Sequence, residues 1–197
     1  MTRASDADSV LVVGPSWVGD MVMAQALFIL LKARKPDIAI DVLAPAWSLP
    51  IVARMPEVRR GIAAETGHGE LGLGKRRRIG YALRDAGYEH AIVLPRSLKS
   101  ALIPWFARIP RRTGFRGESR YGLVNDMRPF DKAVLDQTVK RFVALGLDAG
   151  EALPEAPLWT PVAVIVTVPP LLNTAPPRPS VKLLPSALLS ITSVPML

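Results

Sequence analysis

The sequence predicts an α/β fold, a Rossmann-like parallel sheet with helices on both faces. Three features point to it. Short apolar runs alternate with stretches at helical spacing along the first 150 or so residues. The runs Val10–Val13 and Ile38–Pro45 are apolar almost throughout, as strands covered on both faces are. The first run is followed by a glycine-bracketed loop, "GPSWVGD", which opens straight into an apolar helix.

In chain order, Val10–Val13 reads as a buried strand and Met21–Arg34 as a helix apolar on most faces, with Pro36 as its stop. "IAIDVLAP" (Ile38–Pro45) is a second strand, Ser48–Arg54 a short helix, and Gly61–Ala64 a weak third strand. Lys75–Ala86 forms an amphipathic helix ended by Gly87, and "HAIVLP" (His90–Pro95) is another strand. Ser97–Ala107 returns to helix, "RTGF" (Arg112–Phe115) is a short strand, and Lys132–Leu145 is a helix ended by Gly146. In such a sheet ligands gather at the carboxyl ends of the strands, which is where the loop Gly14–Gly19 falls.

After Trp159 the chain changes character. Residues 161–197 hold no Gly, no Asp or Glu and no aromatic residue, only two charges (Arg178 and Lys182), and eight of the nineteen prolines. "VAVIVTV" (Val162–Val168) is a candidate strand, but neither periodicity survives the later prolines. The organisation expected is therefore a domain over 1–158 and an irregular Pro-rich tail over 159–197, with out-of-frame sequence as one origin for the tail. The prolines argue against a membrane segment there.

The chain of 197 residues contains no cysteine, so disulfides and thiolate metal sites are excluded, and a reducing compartment suits it. The start "MTRASDADSV" is polar and acidic rather than a signal peptide, making the cytoplasm the default location. The net charge of +8 is concentrated. Lys75–Arg120 holds 12 Lys and Arg against 3 Asp and Glu, leaving 13 against 14 elsewhere. Such a window favours a polyanionic partner, whether nucleic acid, anionic lipid or a phosphorylated glycan, with a merely solvated basic face as the alternative. A nucleic-acid binder is disfavoured, because no recognition motif is present.

The loop "GPSWVGD" has its glycines at phosphate-loop spacing. Asp20 and Met21, however, stand where Lys and Ser or Thr would be required, and no G-x-G-x-x-G occurs. What remains is a glycine turn, with Ser16, Trp17 and Gly19, that feeds backbone N–H groups and one carboxylate into a helix start. Two readings of Asp20 stand: a first-turn acid favoured by the helix dipole by about 0.3–1 kcal/mol, or a functional carboxylate. Arg96, Ser97 and Lys99 follow a strand at the same sheet edge, as anion clamps or as solvated helix-start residues. The segment Ile109–Asp126, carrying Arg116 and Arg120, is long, basic and glycine-bearing, as functional loops are. The run Lys75–Arg78 opposes a helix dipole, which suits solvent or a ligand better than stability. His68 and His90 have no acid at triad spacing, and no metal cluster is visible. Trp17, Trp47 and Trp105 read as packing residues, with Trp17 also placed to line a site.

Several long motifs carry a resemblance: Val10–Gln25, "DVLAPAWS" (Asp41–Ser48), "MPEV" (Met55–Val58), the whole of Gly67–Asp126, and "KRFVAL" (Lys140–Leu145). Over roughly residues 9–158 the chain resembles the ADP-heptose:lipopolysaccharide heptosyltransferase II family, inverting glycosyltransferases of the two-domain GT-B fold. The resemblance implies transfer of heptose from ADP-heptose to the first heptose of the lipid A-linked core oligosaccharide, at the cytoplasmic face of the inner membrane, with peripheral attachment. It implies that Asp20 deprotonates the acceptor hydroxyl, and that Ser16, Trp17, Gly19, Arg96, Ser97, Lys99, Arg116 and Arg120 belong to the acceptor side. No cofactor is required, and Mg²⁺ is not indicated. Two departures stand out. The family usually has Asn where Arg96 stands, and its C-terminal donor domain has no counterpart in the 161–197 tail. The expectation is little or no transferase activity from this chain alone, with a non-catalytic binding module for anionic glycolipid as the alternative.

Overall fold

Alternate side chains of the predicted strands feed two separate cores, one on each face of a single sheet. The computed structural model describes residues 8–64 and 71–154. Its strands are β1 (Ser9–Val13), β2 (Ala39–Ala44), β3 (Val58–Ala63), β4 (His90–Val93), β5 (Arg111–Phe115) and β6 (Asp126–Arg128). They lie in the order β3-β2-β1-β4-β5-β6, every neighbouring pair parallel. The helices are α1 (Val18–Arg34), the single turn α2 (Leu49–Val52), α3 (Leu73–Ala82), α4 (Leu98–Phe106) and α5 (Thr138–Leu145).

Val10 and Val12 of β1, with Ile40, Val42, Ile92 and Phe115, pack beneath Met21, Leu27 and Phe28 of α1 and Phe142 and Leu145 of α5. The side chains between them, Leu11, Val13, Leu43, Ala91 and Val93, face the other way onto Leu83, Ile103 and Ala107 beside α3 and α4. The period of two thus sorts one strand's residues into both cores. It also explains why α1 is apolar on most faces. One side of it meets the sheet, while Ala26 and Leu30 are covered by Val143 and Leu147. Each such large side chain removed from water contributes about 1.5–3 kcal/mol.

Several boundaries differ from the sequence expectation. α1 begins three residues early, at Val18, so Asp20 lies inside its first turn. The helix expected from Lys132 begins only at Thr138. Asp131 is the cause: its carboxylate accepts from the Ala133 N–H at 2.8 Å, and its carbonyl accepts from the Leu135 N–H at 2.9 Å, fixing a turn ahead of the helix. The segment Ile109–Asp126 is not one long loop, since β5 opens it and Asp126 starts β6, a strand with no sequence signature. Trp17, Trp47 and Trp105 are not core residues, being 72%, 55% and 45% exposed.

One polar feature escaped the sequence pattern. Asp41, fully buried in β2, accepts two hydrogen bonds from Arg59 at 2.8 and 2.7 Å, one from Arg60 at 2.8 Å, and one from the Tyr88 hydroxyl. Burial alone would raise its pKa, but these donors hold the carboxyl below the usual carboxylate range. The irregular pairing of β2 with β3 at Ile40 and Asp41 lets consecutive arginines reach the same acid.

The described residues belong to a unit running to Trp159. The Pro-rich tail, the strand expected at Val162–Val168, and His68 lie outside the described residues.

Candidate active site at the strand switch

The strand order places the site. After β1 the chain adds β2 and β3 on one side, then returns to set β4 on the other, so the order reverses between β1 and β4. The loops leaving those two strands diverge there and open a crevice at their carboxyl ends. The ladder continues one residue past each strand: Gly14 N–H donates to Leu43 O at 2.8 Å and Leu94 N–H to Val13 O at 3.1 Å. Beyond that point Pro15–Trp17 turns into α1, and Pro95–Ser97 turns into α4. A Cβ at Gly14 would lie 2.6 Å from the Met21 methyl, so the glycine gives that buried side chain its room.

Between these loops is a cavity of about 400 Å³. Pro15, Ser16, Trp17 and Asp20 line it from the β1 side, Pro45 and Trp47 from the end of β2, and Arg76 from α3. Leu94, Pro95, Arg96 and Lys99 line it from the β4 side. Phe115, Phe130 and Phe142 supply apolar wall, and Thr138 and Arg141 reach it from α5. Arg96, Lys99 and Arg141 thus give the cavity a basic wall opposite the Asp20 carboxylate, with Arg76 behind it.

The cations are held by specific contacts. Arg96 lies 4.3 Å from the centre of the Phe130 ring and Arg141 lies 5.3 Å from the same ring. Arg141 also donates to Leu135 O at 2.8 Å and Asp136 O at 3.0 Å, while Arg96 Nε donates to Arg116 O at 3.3 Å. Arg76 is buried and donates to Leu71 O at 2.7 Å. Trp47 Nε1 donates to Ser16 O at 3.1 Å, tying the glycine loop to the end of β2. Asp20 is half-buried on the first turn of α1, and among the described residues its carboxylate has no hydrogen bond or ion pair.

The structure brings Asp20, Ser16, Trp17, Arg96 and Lys99 to one cavity. It sets the other expected residues elsewhere. Gly19 is the exposed second residue of α1, and Ser97 sits at the N-cap of α4 with its carbonyl accepting from Ser100 Oγ at 2.6 Å. Arg116 is exposed and does not line the cavity, though its carbonyl holds Arg96. Arg120 is fully buried, so it has no surface to offer an acceptor. Its two terminal nitrogens donate to Pro95 O at 2.7 Å and to Phe115 O, its Nε is buried without a partner among the described residues, and burial lowers its pKa. That is a correction of the acceptor-binding expectation for Arg120. The role observed is to hold two cavity-lining loops together. Trp47, Phe130, Thr138 and Arg141 were not anticipated. Trp47 lay in a quoted motif and Arg76 in a run read as facing solvent or a ligand, but nothing in the sequence brings Phe130 and Arg141 next to Arg96. Among the described residues no group of three or more His, Cys, Asp or Glu side chains is placed to hold a metal ion.

The sequence profile of glycosyltransferase family 9 (heptosyltransferase) matches residues 76–186, running past residue 158 into the Pro-rich segment. The lipopolysaccharide heptosyltransferase 2 of Salmonella typhimurium is 54% identical over 160 residues, covering 79% of this chain and 46% of that protein. The solved structure of the Escherichia coli ADP-heptose lipopolysaccharide heptosyltransferase II shares 50% identity and a TM-score of 0.70 over 77% of this chain and 45% of its own. An E. coli heptosyltransferase solved with ADP shares the fold at 21% identity and a TM-score of 0.63, over 75% and 49% of the two chains. The chain spans less than half the length of the relatives it matches.

Proposed function

The chain belongs to glycosyltransferase family 9, the heptosyltransferases, and on that premise we propose that it provides the acceptor side of an inverting heptosyl transfer. The donor is ADP-heptose and the acceptor the first heptose of the lipid A-linked core. The reaction takes place at the cytoplasmic face of the inner membrane, with the protein attached peripherally. The observation that carries this reading is Asp20: an unpaired carboxylate at the mouth of a cavity otherwise ringed by Arg76, Arg96, Lys99 and Arg141. The four cations suit a phosphorylated saccharide, and the one free carboxylate suits a base.

In this reading Asp20 takes the proton from the acceptor hydroxyl as its oxygen forms a bond to the anomeric carbon of the donor. The bond from that carbon to the diphosphate breaks, and ADP leaves with the electron pair. A positioned base accelerates such a step by about 10²–10⁴-fold, or roughly 3–5 kcal/mol of barrier. A first-turn acid contributes only about 0.3–1 kcal/mol to the helix. Removing the charge should therefore affect turnover far more than folding.

The test is ADP release from ADP-heptose in the presence of heptosylated lipid acceptor. Turnover that Asp20→Asn abolishes, with the melting temperature unchanged, is the expected result for a catalytic chain. Turnover retained by Asp20→Asn would refute the base. A second reading, capture of an anionic glycolipid without turnover, rests on the cations Arg96, Lys99 and Arg141 that line the cavity. It predicts acceptor binding with no ADP released.

A further inference from the structure

The outer face of α3 and α4 carries a second feature that the transfer reaction does not use. Tyr81, Arg84, Trp105, Phe106, Arg108 and Arg112 surround a shallow groove there. Phe106 meets Tyr81 and Trp105 edge-on, with ring centres 6.2 and 4.9 Å apart, yet Trp105 and Tyr81 remain 45% and 41% exposed. Guanidinium groups crowd the same rings: Arg84 lies 3.9 Å and Arg77 5.0 Å from the centre of Tyr81. Arg108 is the only non-glycine residue at positive φ among the described residues, at 57°. That position just past a helix favours glycine or asparagine, yet it carries a cation. From Lys75 to Arg112 the only acids are Asp85 and Glu89.

We propose that this face docks on an anionic lipid bilayer, with Trp105 and Tyr81 at the headgroup level and Arg77, Arg84 and Arg108 against lipid phosphates. Half-exposed Trp and Tyr suit a surface that is apolar on one side and wet on the other. The arginines supply the complementary charge. The two helices also connect the patch to the cavity. α4 carries Lys99 at the cavity and Trp105 at the patch, six residues or about 9 Å apart. α3 carries Arg76 and Tyr81 in the same way. The helices meet tightly at Gly80, where a Cβ would lie 2.4 Å from Phe106 Cβ, so their spacing is fixed. A bilayer on this face puts a lipid-linked sugar within reach of the cavity, and in that respect the proposal rests on the acceptor reading above.

The test is co-sedimentation of the full chain with vesicles of phosphatidylcholine and phosphatidylglycerol at about three to one, and with vesicles of phosphatidylcholine alone, at about 0.1 M salt. The wild type should partition onto the anionic vesicles and far more weakly onto the neutral ones. A basic residue at the surface is worth about fivefold in partition. The exposed pair Arg77→Gln with Arg108→Asn should therefore lower it about twenty- to thirtyfold, asparagine being chosen because it tolerates the positive φ. Trp105→Ser should lower it independently, with circular dichroism confirming the fold of both variants. The cavity pair Arg96→Gln with Lys99→Gln should keep vesicle binding and lose binding of delipidated core oligosaccharide. Failure of that oligosaccharide to bind the wild type would overturn the acceptor reading while vesicle binding still supports the docking face. The docking face is overturned if the wild type stays in the supernatant, if it binds neutral vesicles equally, or if the patch variants bind as the wild type does. It is also overturned if duplex DNA displaces the vesicles and loses affinity through the same two arginines.

Discussion

Arg120 donates to the carbonyl oxygen of Pro95 across 2.7 Å and, through its other terminal nitrogen, to that of Phe115. Both acceptors lie at strand ends, after β4 and in β5, and both residues line the cavity. A side chain with no exposed surface therefore sets the spacing of two site loops. Arg120→Lys keeps a charge but offers a single compact head in place of a fork. It should lose roughly 2–3 kcal/mol by urea denaturation, since a buried carbonyl left unpaired costs about 1–3 kcal/mol. In the surviving folded fraction, binding of a phosphorylated saccharide at the cavity should weaken.

Gly117 provides a sharper test of loop packing. A Cβ there would lie 2.2 Å from Arg96 O, a backbone atom that cannot rotate away. The same crossing is fastened by Glu118, whose N–H donates to Arg96 O at 3.2 Å and whose carboxylate accepts from Leu98 N–H at 2.7 Å. Gly117→Ala should cost about 1–3 kcal/mol, as overpacking does. It should also displace Arg96 from Phe130, read as weakened binding of a phosphorylated saccharide.

Asp41→Asn removes the charge that gathers Arg59, Arg60 and Tyr88. Breaking a wholly buried ion pair costs about 3–5 kcal/mol. Both arginine side chains are about half exposed, 48% and 54%, and recover water, so a loss of roughly 1–3 kcal/mol is expected here. Because the folded carboxyl titrates below its unfolded value, the wild-type advantage is present above about pH 4 and is lost as the pH falls further. Thermal melts of both proteins should converge in acid.

His90 gives a second pH dependence. Burial, reinforced by the nearby charges of Arg111 and Arg128 and opposed by Asp126, depresses its pKa from 6.5 to about 4. Between those values the unfolded chain binds a proton that the folded chain refuses. Its contribution is therefore full above pH 6.5 and is lost as the pH falls toward 4, by up to roughly 2–3 kcal/mol. The neutral ring contacts Thr113 Oγ1 at 2.7 Å, and that hydroxyl donates to Asp126 at 2.7 Å. His90→Gln should flatten the slope of unfolding free energy against pH through this window.

The elements that were legible in sequence are those whose reason is local. Val10–Val13, Ile38–Pro45 and His90–Pro95 are apolar runs that can only be covered strands, and their order already put Asp20, Arg96 and Lys99 at one sheet edge. β6 could not be read, because Asp126–Arg128 is a strand solely through its pairing with Thr113–Phe115. The role of Arg120 depends on where two carbonyls point, which composition does not encode. Trp47 misled for a related reason. A large aromatic ring defaults to the core, but Trp17 and Trp47 flank a cavity that exists only once β1 and β2 are side by side. The arginine and aromatic residues of the α3–α4 face are separated along the chain, and packing at Gly80 brings them together.

The sheet's margins bear on how the protein behaves when concentrated. An unpaired strand edge is a template for a neighbour's chain, and among the described residues this sheet has two, β3 and β6. Along β3 the consecutive arginines Arg59 and Arg60 stand exposed, and the irregular pairing with β2 breaks the strand's flatness. β6 is only three residues long and begins and ends on a charge. Neither margin offers a straight, neutral run for another molecule to extend, so strand-to-strand clumping is discouraged at both ends. Self-association, where it occurs, should instead run through the tryptophan-bearing surfaces and respond to detergent rather than to strand-blocking peptides.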